Sequence, residues 1–414
     1  MKIVELTNQQ FDEYAKFHPL NNYCQTSKYA ILMSEYGYNY DYIGYIDDSN
    51  NILAATLVLT KKITARTKYG YAPKGFLVNY YDQDLLRDFL YQLRKYYKKQ
   101  NFVFIKFNPE IIIGETDKER KFIVSYNGNV RIIDDLKSMN VKRRLELQEF
   151  DLLEPKFNAY LNLKKFSLQK LNRNYRKKIR HSLNKGMSLV LGGPKDINIF
   201  YDFIKDKTDK PIGYYRNLYN VFSKDNSIDL IYITIDYQKY LTYCREVYDV
   251  EERNNQYWNE VIQRDPKRKN LNNKMNSDKK LQGYKDDIIK ATAGLKKNQT
   301  VYVAGALVIK HFNRVCVIAS GFDRNYKDLN PNHFLYYSIF ERYKPYFNYC
   351  DMNGVSGVFD EKSAYHGLNQ FKIKFDPTIY EFVGEFDLIC NERIFKKLIK
   401  TSFIEDEFSK KIKD

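Results

Sequence analysis

The sequence predicts a layered α/β (α+β) protein built as two units, the second interrupted by an antiparallel helical hairpin. Three observations carry this. Apolar runs rich in β-branched residues recur at 52–60, 102–107, 228–235 and 301–309, and amphipathic segments of helical spacing alternate with them. A polar stretch at 237–297 carries a thin apolar repeat of seven residues. The length of 414 residues suits two or three domains.

Each element has a local cause. The run 52–60 (ILAATLVLT) is continuously apolar, which suits a buried strand. In 85–99 (LLRDFLYQLRKYYKK) apolar residues recur at helical spacing, and the last turn is cationic, as a helix C-terminus prefers. The strand 102–107 (FVFIKF) stops at Asn108-Pro109, because proline cannot donate to a ladder. A second unit starts with 157–163 (FNAYLNL). The segment 164–185 (KKFSLQKLNRNYRKKIRHSLNK) follows, with nine Lys/Arg and no acid. Leu168, Leu171, Tyr175, Ile179 and Leu183 give it one apolar face, and Gly186 a left-handed stop.

In 237–297, Leu241, Tyr248 and Ile262 hold a heptad row broken by Asn255, and Leu281, Ile288 and Leu295 hold a second. Pro266 ends one helix and starts the next, so a coiled-coil-type hairpin is expected. The runs 301–309 and 314–319 then form a strand hairpin, 332–346 a helix, and 353–357 (NGVSG) a glycine-rich turn after a strand.

Composition narrows the function. There are 68 Lys+Arg against 51 Asp+Glu, a formal charge of +17, with 38 Tyr and 27 Phe. Rings in that number can fill large cores, and the charge favours a polyanionic partner: nucleic acid, an anionic membrane face or a phosphate-bearing substrate. No apolar run approaches the roughly 20 residues of a membrane-spanning helix. The first residues lack a signal-peptide core, so a cytoplasmic protein is expected. The five Cys and five His show no metal-ligand spacing, so no metal is expected. Neither a G-x-S-x-G elbow, nor a P-loop lysine, nor an acetyl-CoA pyrophosphate loop is present.

Two stretches could carry chemistry. The acid-free segment 164–185 can track phosphates or lie against anionic lipid. In 367–375 (GLNQFKIKF), if a strand, Lys372 and Lys374 share one face and Phe371, Ile373 and Phe375 the other; a lysine beside a cleft could balance a developing oxyanion.

The order of motifs resembles the FemABX peptidyltransferases. The stretches are 25–29 (QTSKY), 105–109 (IKFNP), 174–180 (NYRKKIR), the polar hairpin followed by 304–307 (AGAL), 353–357 (NGVSG), 367–372 (GLNQFK) and 383–388 (VGEFDL). The resemblance implies two GNAT-like acyltransferase domains plus an antiparallel coiled-coil arm. Its domain division is 1–152, then 153–236 and 301–390 around the arm 237–300, with a basic C-terminal helix or tail at 391–414. It implies transfer of an amino acid from aminoacyl-tRNA to the stem peptide or growing bridge of a lipid II-type peptidoglycan precursor. Glycine is favoured by the arm, with serine and alanine as alternatives. No cofactor is implied beyond aminoacyl-tRNA as co-substrate. Peripheral contact with the inner membrane face is implied, as is assembly as a homo- or hetero-oligomer with related transferases.

Residue by residue, the resemblance makes Lys372 and its neighbour Phe371 the catalytic pair. Lys210 and Tyr214 stand for a phosphate-gripping Arg-x-x-x-Tyr, with Tyr215 beside them; the charge is kept and bidentate recognition lost. Met33 falls where a second phosphate-binding lysine is expected, with Lys28 nearby. Asn108 replaces an acid and cannot serve as a base. Gly354 and Ser356 complete the substrate side. Arg173, Arg176, Lys177, Lys178 and Arg180 are the tRNA- or membrane-facing cations. Two rival readings stand beside this one: another GNAT-fold N-acyltransferase, and a non-catalytic member that binds tRNA or precursor only.

Overall fold

The apolar runs assemble into two sheets that share one plan. A computed structural model describes residues 1–116, 122–143, 155–297, 300–357, 359 and 361–408. Among them, the first sheet holds β1 (Lys2–Glu5), β2 (Asn39–Ile46), β3 (Ile52–Lys62), β4 (Lys68–Ala72) and β5 (Phe102–Phe107) in sequential order. The second holds β6 (Ile112–Thr116), β7 (Phe122–Ser125), β9 (Phe157–Asn162), β10 (Met187–Gly192), β11 (Ile228–Ile235), β12 (Tyr302–His311), β13 (Arg314–Phe322), β14 (Tyr349–Val355) and β15 (Thr378–Phe382). The strands β8 (Val141–Arg143) and β16 (Phe386–Ile389) complete the first.

In each sheet four antiparallel strands are followed by a helix that crosses to a parallel fifth. In the first, β1 to β4 run antiparallel and α3 (Gln83–Lys99) leads to β5, parallel to β4. In the second, β10 to β13 do the same, and α10 (Pro331–Tyr343) leads to β14, parallel to β13. This twofold plan is the GNAT-like fold, repeated without a visible sequence repeat. The sheets also exchange strands. β6 and β7 precede residue 152 yet pair into the second sheet, while β16, within 301–390, pairs with β5 in the first.

The remaining helices are α1 (Asn8–Phe17), α2 (Ser27–Ser34), α4 (Asn127–Ser138), α5 (Arg173–Asn184), α6 (Ile197–Ile204), α7 (Ile212–Ser223), α8 (Tyr237–Arg264), α9 (Arg268–Lys296), α11 (His366–Ile373), α12 (Glu392–Lys400) and α13 (Phe403–Phe408). On one face of the second sheet, α5 and α10 pack against Ile231, Ile233, Ala306 and Val317. On the other, α6, α7 and α2 pack with Leu230, Tyr232, Leu307 and Ile309. Each fully buried Phe or Ile contributes roughly 1.5–3 kcal/mol.

Several expectations are corrected here. The basic segment 164–185 is not one helix: Leu168–Lys170 is a 3₁₀ turn and only α5 is α-helical. Ser167 Oγ accepts from Gln169 N and caps the turn, then Asn172 Oδ1 accepts from Tyr175 N and starts the helix anew. Gly186 does end it, at φ +74°, where a Cβ would lie 2.5 Å from the Asp236 carbonyl oxygen. Leu183, expected on the apolar face, is 53% exposed. The residues Asn353 and Gly354 belong to β14 rather than to a turn. The segment around Lys372 is helix α11, so Lys372 and Lys374 do not share a strand face: Lys372 is buried and Lys374 exposed.

The hairpin forms as two long antiparallel helices, α8 and α9, but its seam is partly polar. Near the base Tyr240, Leu241, Cys244 and Ala291 are buried. Further out, Asn255 Nδ2 donates to Ser277 Oγ at 3.1 Å and Ser277 Oγ donates to Glu251 Oε1 at 2.7 Å, where apolar residues would otherwise pack. Leu295 is exposed. At the C-terminus, Phe395, Ile404 and Phe408 pack α12 and α13 onto Tyr69 and Phe104 of the first sheet; the last six residues of the expected tail lie outside the described residues.

Candidate active site

A parallel pair that separates part-way leaves backbone groups without ladder partners. β13 and β14 pair over Arg314–Cys316 and Tyr349–Asp351 only. Beyond that, Val317 to Ser320 and Met352 to Gly354 diverge and line a cavity of about 1240 Å³. Its walls come from both faces of the sheet. Lys178, His333, Tyr336, Phe371 and Lys372 lie on the α5/α10 side, and Ile204, Lys207, Thr208 and Tyr215 on the α6/α7 side. The cavity therefore runs through the sheet at the split. In the first sheet, by contrast, β4 and β5 stay paired from Lys68 to Ala72, and Asn108 Oδ1 accepts from Lys74 N at 2.8 Å just beyond.

Helix α11 lays Lys372 along this split. Lys372 is only 5% exposed, and its ammonium donates to the Gly354 carbonyl oxygen at 2.7 Å, beyond the point where β13 and β14 stop pairing. Burial pushes the Lys372 pKa down to about 8, opposed by the nearby Asp351. Asp351 is itself buried, which raises its pKa, and Asn158 Nδ2 approaches its two oxygens at 3.3 and 3.4 Å. Phe371 completes the wall: its ring lies 5.1 Å from Tyr336 and 5.3 Å from His333, and its carbonyl accepts from Tyr175 OH at 3.1 Å. The His333 imidazole is neutral, because burial lowers its pKa to about 4. Among the described residues, no group of three His, Cys, Asp or Glu is placed to hold a metal ion.

Behind the site runs a polar ladder between the two sheets. Arg314 Nη2 meets Glu110 Oε2 at 2.6 Å, and Arg314 Nη1 donates to Tyr160 OH at 2.9 Å. Burial opposes the Glu110 charge, but Arg314 and Lys74 hold its pKa below the usual value.

The FemAB family model matches residues 6–400. The chain belongs to the FemAB family. Among its relatives, a lipid II:glycine glycyltransferase of Staphylococcus haemolyticus (strain JCSC1435) is 24% identical, over 96% of this chain and 94% of that protein. An aminoacyltransferase FemA of Staphylococcus epidermidis (strain ATCC 12228 / FDA PCI 1200) is 25% identical, over 97% and 100%. The crystal structure of FemX superposes with a TM-score of 0.75 at 19% identity, over 96% of this chain and all of that one, and so shares the fold.

Not every residue singled out by the FemAB resemblance reaches the cavity. Lys372, Phe371, Gly354, Tyr215 and Lys178 line it. Tyr215 OH lies 2.7 Å from Thr208 Oγ1. Lys210 lies just outside, its ammonium 3.3 Å from Tyr214 OH and over that ring. Ser356 is fully buried and locked behind α11: its N donates to Asn369 Oδ1 and its Oγ accepts from Asn369 Nδ2. Lys28 is engaged elsewhere, pairing with Asp225 and donating to Ser227 Oγ at 2.9 Å, and Met33 is buried in the apolar contact around α2. Asn108 closes the first sheet's end.

The five basic-helix cations also separate. Arg176 Nη1 donates to the Gln169 and Leu171 carbonyls at 2.6 and 2.9 Å, which braces the 3₁₀ turn. Arg173 and Lys177 line a groove beside α5, and Arg180 is exposed. Residues missed by sequence reasoning are His333, Tyr336, Lys207 and the Asp351–Asn158 and Arg314–Glu110 pairs. One signal was available: a lone charge inside an apolar strand, Asp351 in β14 or Arg314 opening β13.

Among the described residues no helix is long and apolar enough to cross a membrane.

Proposed function

We propose that this protein transfers an aminoacyl group from aminoacyl-tRNA to an amine of the stem peptide or growing bridge of a lipid-linked peptidoglycan precursor. The amine nitrogen attacks the ester carbonyl carbon, the tetrahedral intermediate collapses, the ester C–O bond breaks, and the freed ribose hydroxyl keeps a proton derived from the amine. The products are an amide and deacylated tRNA, and no dissociable cofactor enters the balance. The observation that carries this reading is the buried Lys372 ammonium in the wall of a cavity that is open to both faces of the sheet. A donor and an acceptor can meet there from opposite sides, and a cation in a low-dielectric wall stabilises the developing oxyanion. At pH 7 a group with a pKa of about 8 is mostly protonated, as this role requires.

Names of relatives that act on lipid II or transfer amino acids support the same substrates. Glycine is the amino acid we favour, from the long hairpin arm. Incubating the protein with mixed aminoacyl-tRNAs and lipid-linked precursor, then weighing the product, tests the whole reading. A mass gain of one or more amino acid residues is expected. Transfer from acyl-CoA instead, or none at all, would overturn it.

A further inference from the structure

We infer that Lys178, in the cavity wall, is the proton relay of the transfer step, and that His333 positions it in both of its protonation states. This deepens the reading of the cavity as an aminoacyl-transfer site and rests on it.

Aminolysis moves one proton. Once the acceptor nitrogen has bonded to the ester carbonyl carbon it carries a proton too many, and the ribose oxygen needs one as the C–O bond breaks. A relay takes the first proton on a lone pair, gives it to that oxygen and ends as it began. It must therefore be stable both charged and neutral. Lys178, Lys207, Lys327 and Lys372 line the cavity, and of these Lys207 and Lys327 are exposed. Lys372 donates to the Gly354 carbonyl, a group that only accepts, which suits a lasting ammonium. Asp328, the one acid among the described wall residues, is exposed.

The partner of Lys178 meets that requirement. Elsewhere carboxylates hold interior lysines as cations: Lys106 with Asp387 at 2.7 Å, Lys156 with Glu381 at 2.8 Å, Lys185 with Asp287 at 2.6 Å and Lys310 with Asp229 at 2.8 Å. Half-buried Lys178 has instead the imidazole of His333, Nζ to Nε2 3.3 Å. With its proton on Nδ1, that ring accepts from the ammonium; with its proton on Nε2, it donates to the free amine. Rings of Tyr175 at 4.7 Å and Phe371 at 5.3 Å hold it edge-on, next to Lys372. Burial, then the charges of Lys178 and Lys374, keep His333 itself neutral, with a pKa of about 4. Burial, then Lys374 at the end of α11, also lower the Lys178 pKa. Along its own helix Lys178 has Arg173, Lys177 and His181 as charged or titratable neighbours, and no acid among the described residues lines the groove they share. A free amine is therefore within reach at Lys178, while Lys372 supplies the fixed charge.

Two measurements on the full chain test this. Acetic anhydride labelling, read peptide by peptide by mass spectrometry, follows the lone pair of Lys178 as pH rises. Its midpoint should lie below that of exposed Lys177. H333E, which sets a carboxylate beside it, should move the midpoint up, and H333Q, whose amide both donates and accepts, should leave it in place. An ordinary midpoint, or one that H333E does not move, overturns the assignment. In transfer from aminoacyl-tRNA to lipid-linked precursor, K178M should lower kcat by about 10²–10⁴ with the donor KM unchanged. K178R should not restore it, because a guanidinium keeps its proton. Ethylamine added to K178A should restore part of it, with the product mass unchanged. Activity within about tenfold of wild type in K178M overturns the relay. So does full activity in K178R, which would make Lys178 an anion contact. If H333E melts early, K178M and K178R decide. The two readings fail separately: a lowered Lys178 midpoint without any transfer overturns the function only, while transfer with an ordinary midpoint and an active K178M overturns the relay only.

Discussion

Lys372 Nζ donates to the carbonyl oxygen of Gly354 at 2.7 Å, across the point where β13 and β14 part. That bond holds an ammonium inside a protein wall and leaves its other N–H groups for a developing negative charge. Replacing Lys372 by Met keeps the stem and removes the charge. We expect transfer to drop by about 10²–10³, the cost of losing one oxyanion donor. Circular dichroism should show the fold unchanged. Activity within tenfold of wild type would remove the assignment.

The Lys372 pKa of about 8 gives the reaction a pH signature. As a cationic stabiliser it should produce a falling limb in kcat near pH 8, absent in Lys372→Arg, whose charge persists above pH 12. A rising limb there would assign it the role of amine base. Stability has its own sign. Folding lowers this pKa from 10.5, so between about 8 and 10.5 the unfolded chain binds more protons. The cost of the buried charge is full below pH 8 and fades as pH rises through that window. Lys372→Met should flatten this rise in denaturant melts.

The Arg314–Glu110 pair joins the second sheet to the segment after β5, at 2.6 Å and largely buried. Removing one partner alone, as in Glu110→Ala, leaves Arg314 uncompensated and should cost about 3–5 kcal/mol. The folded Glu110 pKa lies below 4.5, so its contribution is present above that value and is lost as pH falls through the lower folded one. The acid limb of the stability curve should be shallower in Glu110→Gln. An unchanged limb would place acid sensitivity elsewhere.

The hairpin arm is anchored to the basic helix by one carboxylate. Asp287 Oδ2 meets Lys185 Nζ at 2.6 Å, and its Oδ1 accepts from Tyr240 OH at 2.7 Å. Asp287→Ala strands a buried ammonium and a buried phenol, and should lower stability by about 3 kcal/mol or more. Hydrogen exchange should quicken at the base of α8 and α9 before the sheets. Uniform exchange across the chain would show that the arm unfolds with the body.

Apolar runs rich in β-branched residues and the heptad rows were enough to read the strands and the hairpin, because periodicity is a local property of a chain; the charge excess and the acid-free basic segment raised the expectation of an anionic partner. The stretch around Lys372 stood out by its lysines among aromatics and was narrowed to Lys372 as a candidate by family resemblance, but its local pattern pointed to a strand face where α11 stands. What the tertiary structure decided lies between distant residues. The split of β13 from β14 depends on where a parallel pairing stops, which neither strand's own pattern records. The approach of Lys374 to Lys178, and of Asp351 to Lys372, depends on how α11 packs across that split. The depressed Lys372 pKa follows from burial, which arises only when both faces of the sheet are covered. Asn108 and Lys28, candidates by motif, meet Lys74 N and Asp225, contacts that only the fold supplies.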